Sequence, residues 1–281
     1  MGNLGVAGSW AQRFAPAEHL RPYVAWYAAY ETSGGTPGRH RGLPSADMTM
    51  VVAVDRPLQV LEHPDPQDAP DAFETLLGGV HTRANMLGHD GAWAGIQIAL
   101  RPLGARALFG LPGGELAHHD YHGGDVLGRL ASELHQRVNE TPDWSDRIRL
   151  VDAALTKRLD PERTVDREVA QAWRVILGSH GAVPVGTVAA EIGWSERHLG
   201  NRMRIETGVT PKTLARIARF QQACTLIGRD RTRSLAEIAA DAGYYDQAHL
   251  ARDFRDIAGC PPSRWIAEEF GFVQAGPMDL R

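Results

Sequence analysis

Hydrophobic and polar positions along the chain follow two different periods. Through roughly the first hundred residues the apolar runs are short and bounded by Gly and Pro. Met48-Thr-Met-Val-Val-Ala-Val54 is rich in β-branched residues, Asp55-Arg-Pro57 can turn the chain, and Leu58-Gln-Val-Leu61 is a second short run. His63-Pro-Asp-Pro-Gln-Asp-Ala-Pro70 is a proline-rich loop, and Ala92-Trp-Ala-Gly-Ile-Gln-Ile-Ala-Leu100 ends in a loosely alternating Ile96, Ile98, Leu100 face. These runs predict a small β-barrel or sandwich.

From about residue 125 the period becomes helical. Val126, Leu127, Leu130, Leu134 and Val138 recur at helical spacing. A second helix is expected from Asp143 or Trp144, with Ile148, Val151, Leu155 and Leu159 on one face and Asp160-Pro161 as its end. A third runs from Asp166 to Leu177 and stops at Gly178. His180-Gly-Ala-Val-Pro184 reads as a linker, and nearly everything from about 184 to 270 is helical pattern. The expected fold is α+β. The apolar faces between 126 and 159 have two uses open to them, packing on the β-domain of the same chain or forming a dimer surface.

An internal repeat organises the helical part. Val188-Ala-Ala-Glu-Ile-Gly-Trp194 aligns with Ile238-Ala-Ala-Asp-Ala-Gly-Tyr244 at an offset of 50, and Leu199, Met203, Gly208 and Pro211 align with Leu250, Phe254, Gly259 and Pro262 at an offset of 51. One residue has therefore been added in the turn or at the start of the second helix. Each unit is an Ala-rich helix, a glycine, an aromatic residue, a turn and an amphipathic helix. That is the pattern of a helix-turn-helix. Ala189/Ala190 and Ala239/Ala240 let another helix approach, while Gly193 and Gly243 sit where the chain must turn sharply. Ser195 and Asp246 are good N-caps.

The polar face of each second helix carries the candidate chemistry. In the first copy it holds Arg197, Asn201 and Arg204, with His198 and Arg202 beside them; in the second, Gln247, Ala248, His249, Arg252 and Arg255. Arg can fork onto guanine, and Gln or Asn can pair with adenine. One such hairpin with arginines outward is usually only a solvated face. Two copies about 50 residues apart can address successive major grooves. Leu214, Ile217, Phe220, Cys224 and Ile227 mark a connecting helix between the copies. Arg229, Arg231 and Arg233 in the following turn are either phosphate contacts or ordinary surface charge.

Composition narrows the class. The 281 residues, 43% hydrophobic and 23% charged, fit two soluble domains. The expected division is 1–180, 181–270 and a tail, 271–281. No apolar run is long enough to span a membrane, and the N-terminus shows no secretory signal pattern. Two cysteines, Cys224 and Cys260, exclude a disulfide scaffold and a four-cysteine zinc site, and a cytoplasmic home is the simplest expectation. The net charge of −4 argues against a broad nucleic-acid coat. Its distribution is uneven, with 17 Lys+Arg against 22 Asp+Glu in residues 1–181 and 13 against 12 in residues 182–281. The two halves therefore face different partners.

The segment from about 184 to 267 resembles the DNA-binding domain of AraC/XylS-type transcription regulators. The resemblance rests on Ile238-Ala, Gly243-Tyr-Tyr-Asp-Gln-Ala-His-Leu250, Arg252-Asp-Phe254 and the Gly259-Cys-Pro-Pro-Ser-Arg-Trp265 exit, together with Arg219 and Ala223 on the connecting helix. Met203 stands where Phe is commoner and Trp265 where Tyr is commoner. Gly200 and Ala248 fall where relatives place longer contact side chains, which makes them poor candidates for base reading. The resemblance implies a two-unit module that binds asymmetric duplex DNA and usually activates transcription, with RNA polymerase as a partner. Leu20-Arg-Pro-Tyr-Val24, Leu43-Pro44 and Arg101–Gly110 resemble the cupin-like sensor domains, with trailing helices, attached to such regulators.

The expected function is thus a DNA-binding regulator without catalysis or cofactor. Ser195, Arg197, His198, Asn201, Arg202, Asp246, Gln247, His249, Arg252 and Arg255 are its candidate DNA contacts, and a small-molecule effector and a homodimer are possible partners. Two alternatives stand beside it: a metal-dependent cupin-like enzyme with a helical tether, and a protein-interaction adaptor. The enzyme reading rests on His118-His-Asp-Tyr-His122, where His118, Asp120 and His122 form the one dense ligand cluster, with His81 and His89 as further donors if the fold brings them near. Glycines on both sides favour a polar loop instead. Trp10, Tyr23, Trp26, Tyr27 and Trp93 are either pocket or core. Arg39-His-Arg41 is either an anion site or a solvated loop. Cys224 is expected to be buried, and Cys260, beside a proline, to be exposed. No phosphate loop, nucleophile elbow or kinase-type set is present.

Overall fold

The computed structural model describes residues 9–269. The tail expected at 271–281 lies outside the described residues.

The front domain is three layers. Its strands are β1 (Trp10–Phe14), β2 (Val24–Thr32), β3 (Gly38–Gly42), β4 (Met48–Val54), β5 (Leu58–Glu62), β6 (Asp71–Phe73), β7 (Thr75–Gly78), β8 (Asn85–His89) and β9 (Trp93–Leu100). After α1 (Ala105–Phe109) comes β10 (Asp120–His122). They form a six-stranded antiparallel sheet in the order β1-β2-β9-β4-β7-β10 and a four-stranded one in the order β3-β8-β5-β6. The period-2 alternation of β4 explains the layering. Met48, Met50, Val52 and Val54 join Ile96, Ile98 and Leu100 in the core beneath the helices. Val51 points the other way, into a smaller cluster with Leu58, Val60, Phe73 and Leu76 between the two sheets. This is the expected cupin-like β-domain.

The trailing helices are α2 (Gly123–Leu127), α3 (Arg129–Glu140) and α4 (Trp144–Arg158). The run that begins at Val126 is broken at Gly128, whose φ of +59° lies in the region only glycine enters cheaply. Leu127, Leu134, Val138, Ile148, Val151 and Leu155 are buried in the same-chain core. Of the two uses open to the leucine-rich faces, packing on the chain's own sheet is the one observed. Tyr27 anchors the layer by donating to Asp152 Oδ1 on α4 at 2.7 Å.

The remaining helices are α5 (Arg167–Gly178), α6 (Val185–Glu191), α7 (Glu196–Thr207), α8 (Pro211–Arg229), α9 (Leu235–Asp241), α10 (Gln247–Ala258) and α11 (Pro262–Glu269). Helix α5 packs on α6, α7 and α8. The repeat is visible in its caps. Ser195 accepts from the His198 N–H, and Asp246 from the His249 N–H. Gly208 and Gly259 end α7 and α10 in the left-handed conformation, at φ +83° and +71°. The connecting helix α8, about 28 Å long at 1.5 Å per residue, serves both units. Its Leu214, Ala215 and Ile217 pack with Val188, Leu199 and Met203. Its Phe220, Ala223 and Ile227 pack with Ile238, Leu250, Phe254 and Trp265. Cys260, expected to be exposed, is buried within this second cluster, and Cys224, expected to be buried, is half-buried at its margin.

The two domains are fastened at three places. Arg106 clasps Glu206 near the end of α7 with both arms, Nε–Oε2 2.6 Å and NH2–Oε1 3.0 Å, and Glu206 is only 2% exposed. A turn at Gly113–Leu116 packs under the same helix end: a methyl group on Gly114 would lie 2.4 Å from the carbonyl oxygens of Arg204 and Ile205. At α10, the Ala84 N–H donates to Ile257 O at 2.7 Å and Arg41 NH1 donates to Ala258 O at 3.3 Å, while Arg41 also bonds Glu268 of α11. In the middle, the Ala46 N–H donates to Gln221 on α8.

Gly114→Ala tests this seam. The clash is with backbone, which cannot rotate away, so the substitution is expected to undock α7. Hydrogen exchange should rise over residues 196–208 while protection of β4 and β9 is retained. Unchanged exchange in α7 would show that the close approach does not hold the domains.

Candidate nucleic-acid interface

In each helix-turn-helix the front domain meets the C-terminal end of the second helix, and residues of the leading end are exposed. In the first unit Gly193 takes φ +75°, and Trp194 turns back to meet the His198 ring edge-on at 4.5 Å. That contact, with the Ser195 cap, fixes the first turn of α7. Arg197, Asn201 and Arg204 are all exposed on α7, with His198 beside them. In the second unit Gly243 takes φ +78°, and Tyr244 meets the His249 ring edge-on at 5.1 Å. Gln247, Ala248, Arg252 and Arg255 are exposed on α10.

The sequence-derived candidates divide into two groups. Arg197, His198, Asn201, Gln247, Arg252 and Arg255 face solvent. Ser195 and Asp246 spend their side chains as caps. His249 is half-buried against Tyr244. Arg202 is engaged inside the protein, with its NH2 2.6 Å from Asp166 Oδ2 and 3.4 Å from Glu206 Oε1. It ties α5 to α7. Glu206 is one helical turn along α7, a pairing that spacing could suggest, but Asp166 comes from the cap of α5 and leaves no trace in the spacing.

Other charges lock the units together. Arg216 on α8 donates to Asp253 at 2.7 Å and to Asp256 at 2.6 Å, both on α10. Arg219 donates to Gly181 O at 3.0 Å. Arg233 pairs with Asp241 at 2.5 Å, so in this arginine-rich turn that residue is engaged within the protein.

The histidine cluster does not assemble at helical spacing. His118 has φ +71°, and 120–122 is strand rather than helix, so His118 and His122 do not meet at one helical turn. His122 bonds Asp71 at 2.8 Å and His119 bonds Asp68 at 3.2 Å. Asp120, with its side chain fully buried, is held between His63 at 2.9 Å and His81 at 3.1 Å. His89 lies elsewhere, stacked on Trp93 at 5.5 Å. Among the described residues no group of three or more His, Cys, Asp or Glu is placed to hold a metal ion. His118, Asp120 and His122 are thus not brought together as one ligand set: the Asp120 carboxylate is hydrogen-bonded by His63 and His81.

A cavity of about 620 Å³ opens between the two sheets, lined by Tyr30, Arg39, Arg56, Leu58, His89 and Trp93 among others. Arg56 pairs with Asp90 on its rim. Burial raises the Tyr30 phenol well above its usual pKa, so it stays a neutral donor. Burial also lowers the His89 imidazole, helped by His40 and opposed by Asp90. Of the five aromatics singled out by sequence only Trp93 lines this cavity. Trp10 packs on Trp144 at 5.0 Å, Trp26 lies under Arg13, and Tyr27 is core. Tyr30 and Arg56 went unrecognised because residues of separate strands and of the β4–β5 turn meet here without sequence spacing. The Arg39-His-Arg41 run proves split, Arg39 at the cavity and Arg41 on α10 and α11.

Repeated turn glycines, paired caps and a shared connecting helix define a class: the chain carries the double helix-turn-helix domain of AraC/XylS-type transcription regulators. Residues 188–268 match a family model described as a helix-turn-helix domain, and residues 12–122 match one described as a domain of unknown function. No curated protein sequence matches the chain. Among solved structures, ToxT from Vibrio cholerae superimposes with a TM-score of 0.52 at 12% identity, covering 92% of this chain and 98% of that one. An apo variant of the same protein gives 0.50 at 9% identity, covering 86% and 97%. ToxT with an unsaturated fatty acid bound gives 0.49 at 10% identity, covering 88% and 97%. At these identities the likeness is one of fold, a β-rich domain with helices followed by the double helix-turn-helix. Among the described residues no helix is long and apolar enough to cross a membrane.

Burial pushes the Asp120 carboxyl up, but the hydrogen bonds and charges of His81 and His63 outweigh it, leaving its pKa below the usual value. A carboxyl whose folded pKa is depressed stabilises above its unfolded pKa, near 4, and loses that contribution as pH falls through the folded value. Asp120→Asn is therefore expected to cost about 2 kcal/mol at neutral pH. The gap from the parent protein should close below about pH 4. Urea unfolding across pH would show a constant gap if the pairing contributed nothing.

Proposed function

We propose that the protein is a sequence-specific transcription regulator that reads two successive major-groove segments of duplex DNA. The observation that carries this is the pair of equivalent recognition helices, α7 and α10, braced on one connecting helix with Arg197, Asn201, Gln247 and Arg252 exposed. The forked guanidinium and the amide groups suit base edges, while His198, Arg255 and the first-turn backbone N–H groups suit phosphates. The protein acts in the cytoplasm as an activator with RNA polymerase as partner, and it needs no catalytic group or cofactor for this.

The front domain is the sensor. Its 620 Å³ cavity is of the size that holds a small organic ligand. Two of its lining strands lead to the second unit: β3 carries Arg41, and Ala84 directly precedes β8. A small-molecule effector in this cavity therefore bears on α10. The apolar faces of the trailing helices are consumed within the chain, so a homodimer, where formed, uses another surface.

Selection from random duplexes with the full-length protein is expected to enrich one asymmetric site, and footprinting should protect two groove segments on one face. Arg197→Ala, Asn201→Ala, Gln247→Ala and Arg252→Ala should each weaken that site by about 1–3 kcal/mol and relax one base position. Failure to enrich any site, or four variants with parental affinity and base preference, would overturn the reading.

A further inference from the structure

The two units differ by one residue, and the structure locates it. In the first unit the chain runs Gly193, Trp194, then the cap Ser195; in the second it runs Gly243, Tyr244, Tyr245, then the cap Asp246. The aromatic after each glycine keeps its edge-on contact with a histidine in the first turn of the recognition helix, His198 or His249. Tyr245 is therefore the inserted residue. It occupies the position before the N-cap, where an apolar side chain usually packs back on the helix. Here it does not: Leu250 is fully buried without it, and Tyr245 is 93% exposed. The other large hydrophobic exposed among the described residues is Ile205, at 46%.

Tyr245 stands at the leading end of α10, beside exposed Gln247 and Ala248. Ala248 is short, so this end of the helix offers a small apolar step with a free aromatic ring next to it. The Tyr245 hydroxyl could reach a phosphate, but its exposed ring in sequence beside the short Ala248 offers an apolar surface that matches the 5-methyl group of thymine in the major groove. Resting on the DNA-reading function, we propose that Tyr245 is a base-specificity residue that recognises a thymine methyl at the edge of the second groove segment, where Ala248, too short to reach a base edge itself, leaves room for it. The first unit has no counterpart, so the two half-sites differ in this requirement.

The test uses the full-length protein and the duplex it selects. Tyr245→Ala should weaken that duplex about tenfold with an unchanged Tm, and Tyr245→Phe should bind within about twofold of the parent. Duplexes carrying deoxyuridine in place of each thymine in turn should reveal one position in the second segment where methyl loss weakens the parent several-fold but leaves Tyr245→Ala unaffected. Parental affinity in Tyr245→Ala overturns the proposal. So does an equal loss in Tyr245→Ala and Tyr245→Phe with no methyl-sensitive thymine, which would make the hydroxyl a phosphate contact. Absence of any selected duplex for the parent protein is a different result, and it overturns the regulator reading itself.

Discussion

The arrangement depends on how the C-terminal ends of α7 and α10 are seated on the front domain. A helix leaves its last carbonyl groups without intrahelical partners and carries partial negative charge there. In α7 that end rests on the Gly113–Gly114 turn, with Arg106 across it on the buried Glu206. In α10 the Ala84 N–H and the Arg41 guanidinium supply the donors. Both sets come from the front domain. The pair at α7 is the stronger constraint, because a nearly buried carboxylate deprived of Arg106 would keep only the long contact from Arg202.

A functional consequence follows from polarity. With both carbonyl ends seated on the front domain, both N-terminal ends point away from it, and those are the ends that carry Arg197, Asn201, Gln247 and the exposed backbone donors. The front domain is thus a frame for both recognition helices. The connecting helix sets their spacing, Arg216 locks α10 to it through Asp253 and Asp256, and Gln221 returns a bond to Ala46 of the front domain. The strands lining the cavity between the sheets join the same frame through Arg41 of β3 and Ala84, which leads into β8.

Much of this was legible in the chain because it depends on local constraints. Turn glycines, caps and the 3.6-residue stripe repeat at fixed offsets, so both helix-turn-helix units and the polar faces of α7 and α10 could be drawn from sequence. The β-domain was legible in class, since β4 alternates cleanly between two cores. What escaped were pairings between distant segments. Arg202 sits on the right face by spacing, yet Asp166, from α5's cap, claims it. The His118–His122 cluster has donor density, yet its carboxylate is taken by His63 and His81 from other loops. Cys224 lies in the apolar stripe but at the margin of the second cluster, while Trp265 and its neighbours close over Cys260. The cavity draws on six strands and has no linear signal at all.

The central claim is that both reading heads are held outward at once on the front domain. Hydrogen exchange of the full-length protein with and without its selected duplex measures this most directly. The account predicts new protection in the first turns of α7 and α10 together, near residues 196–201 and 245–252, with the seam at Ala84 and at residues 113–117 unchanged. Protection confined to one helix, or gained only as the seam opens, would contradict it.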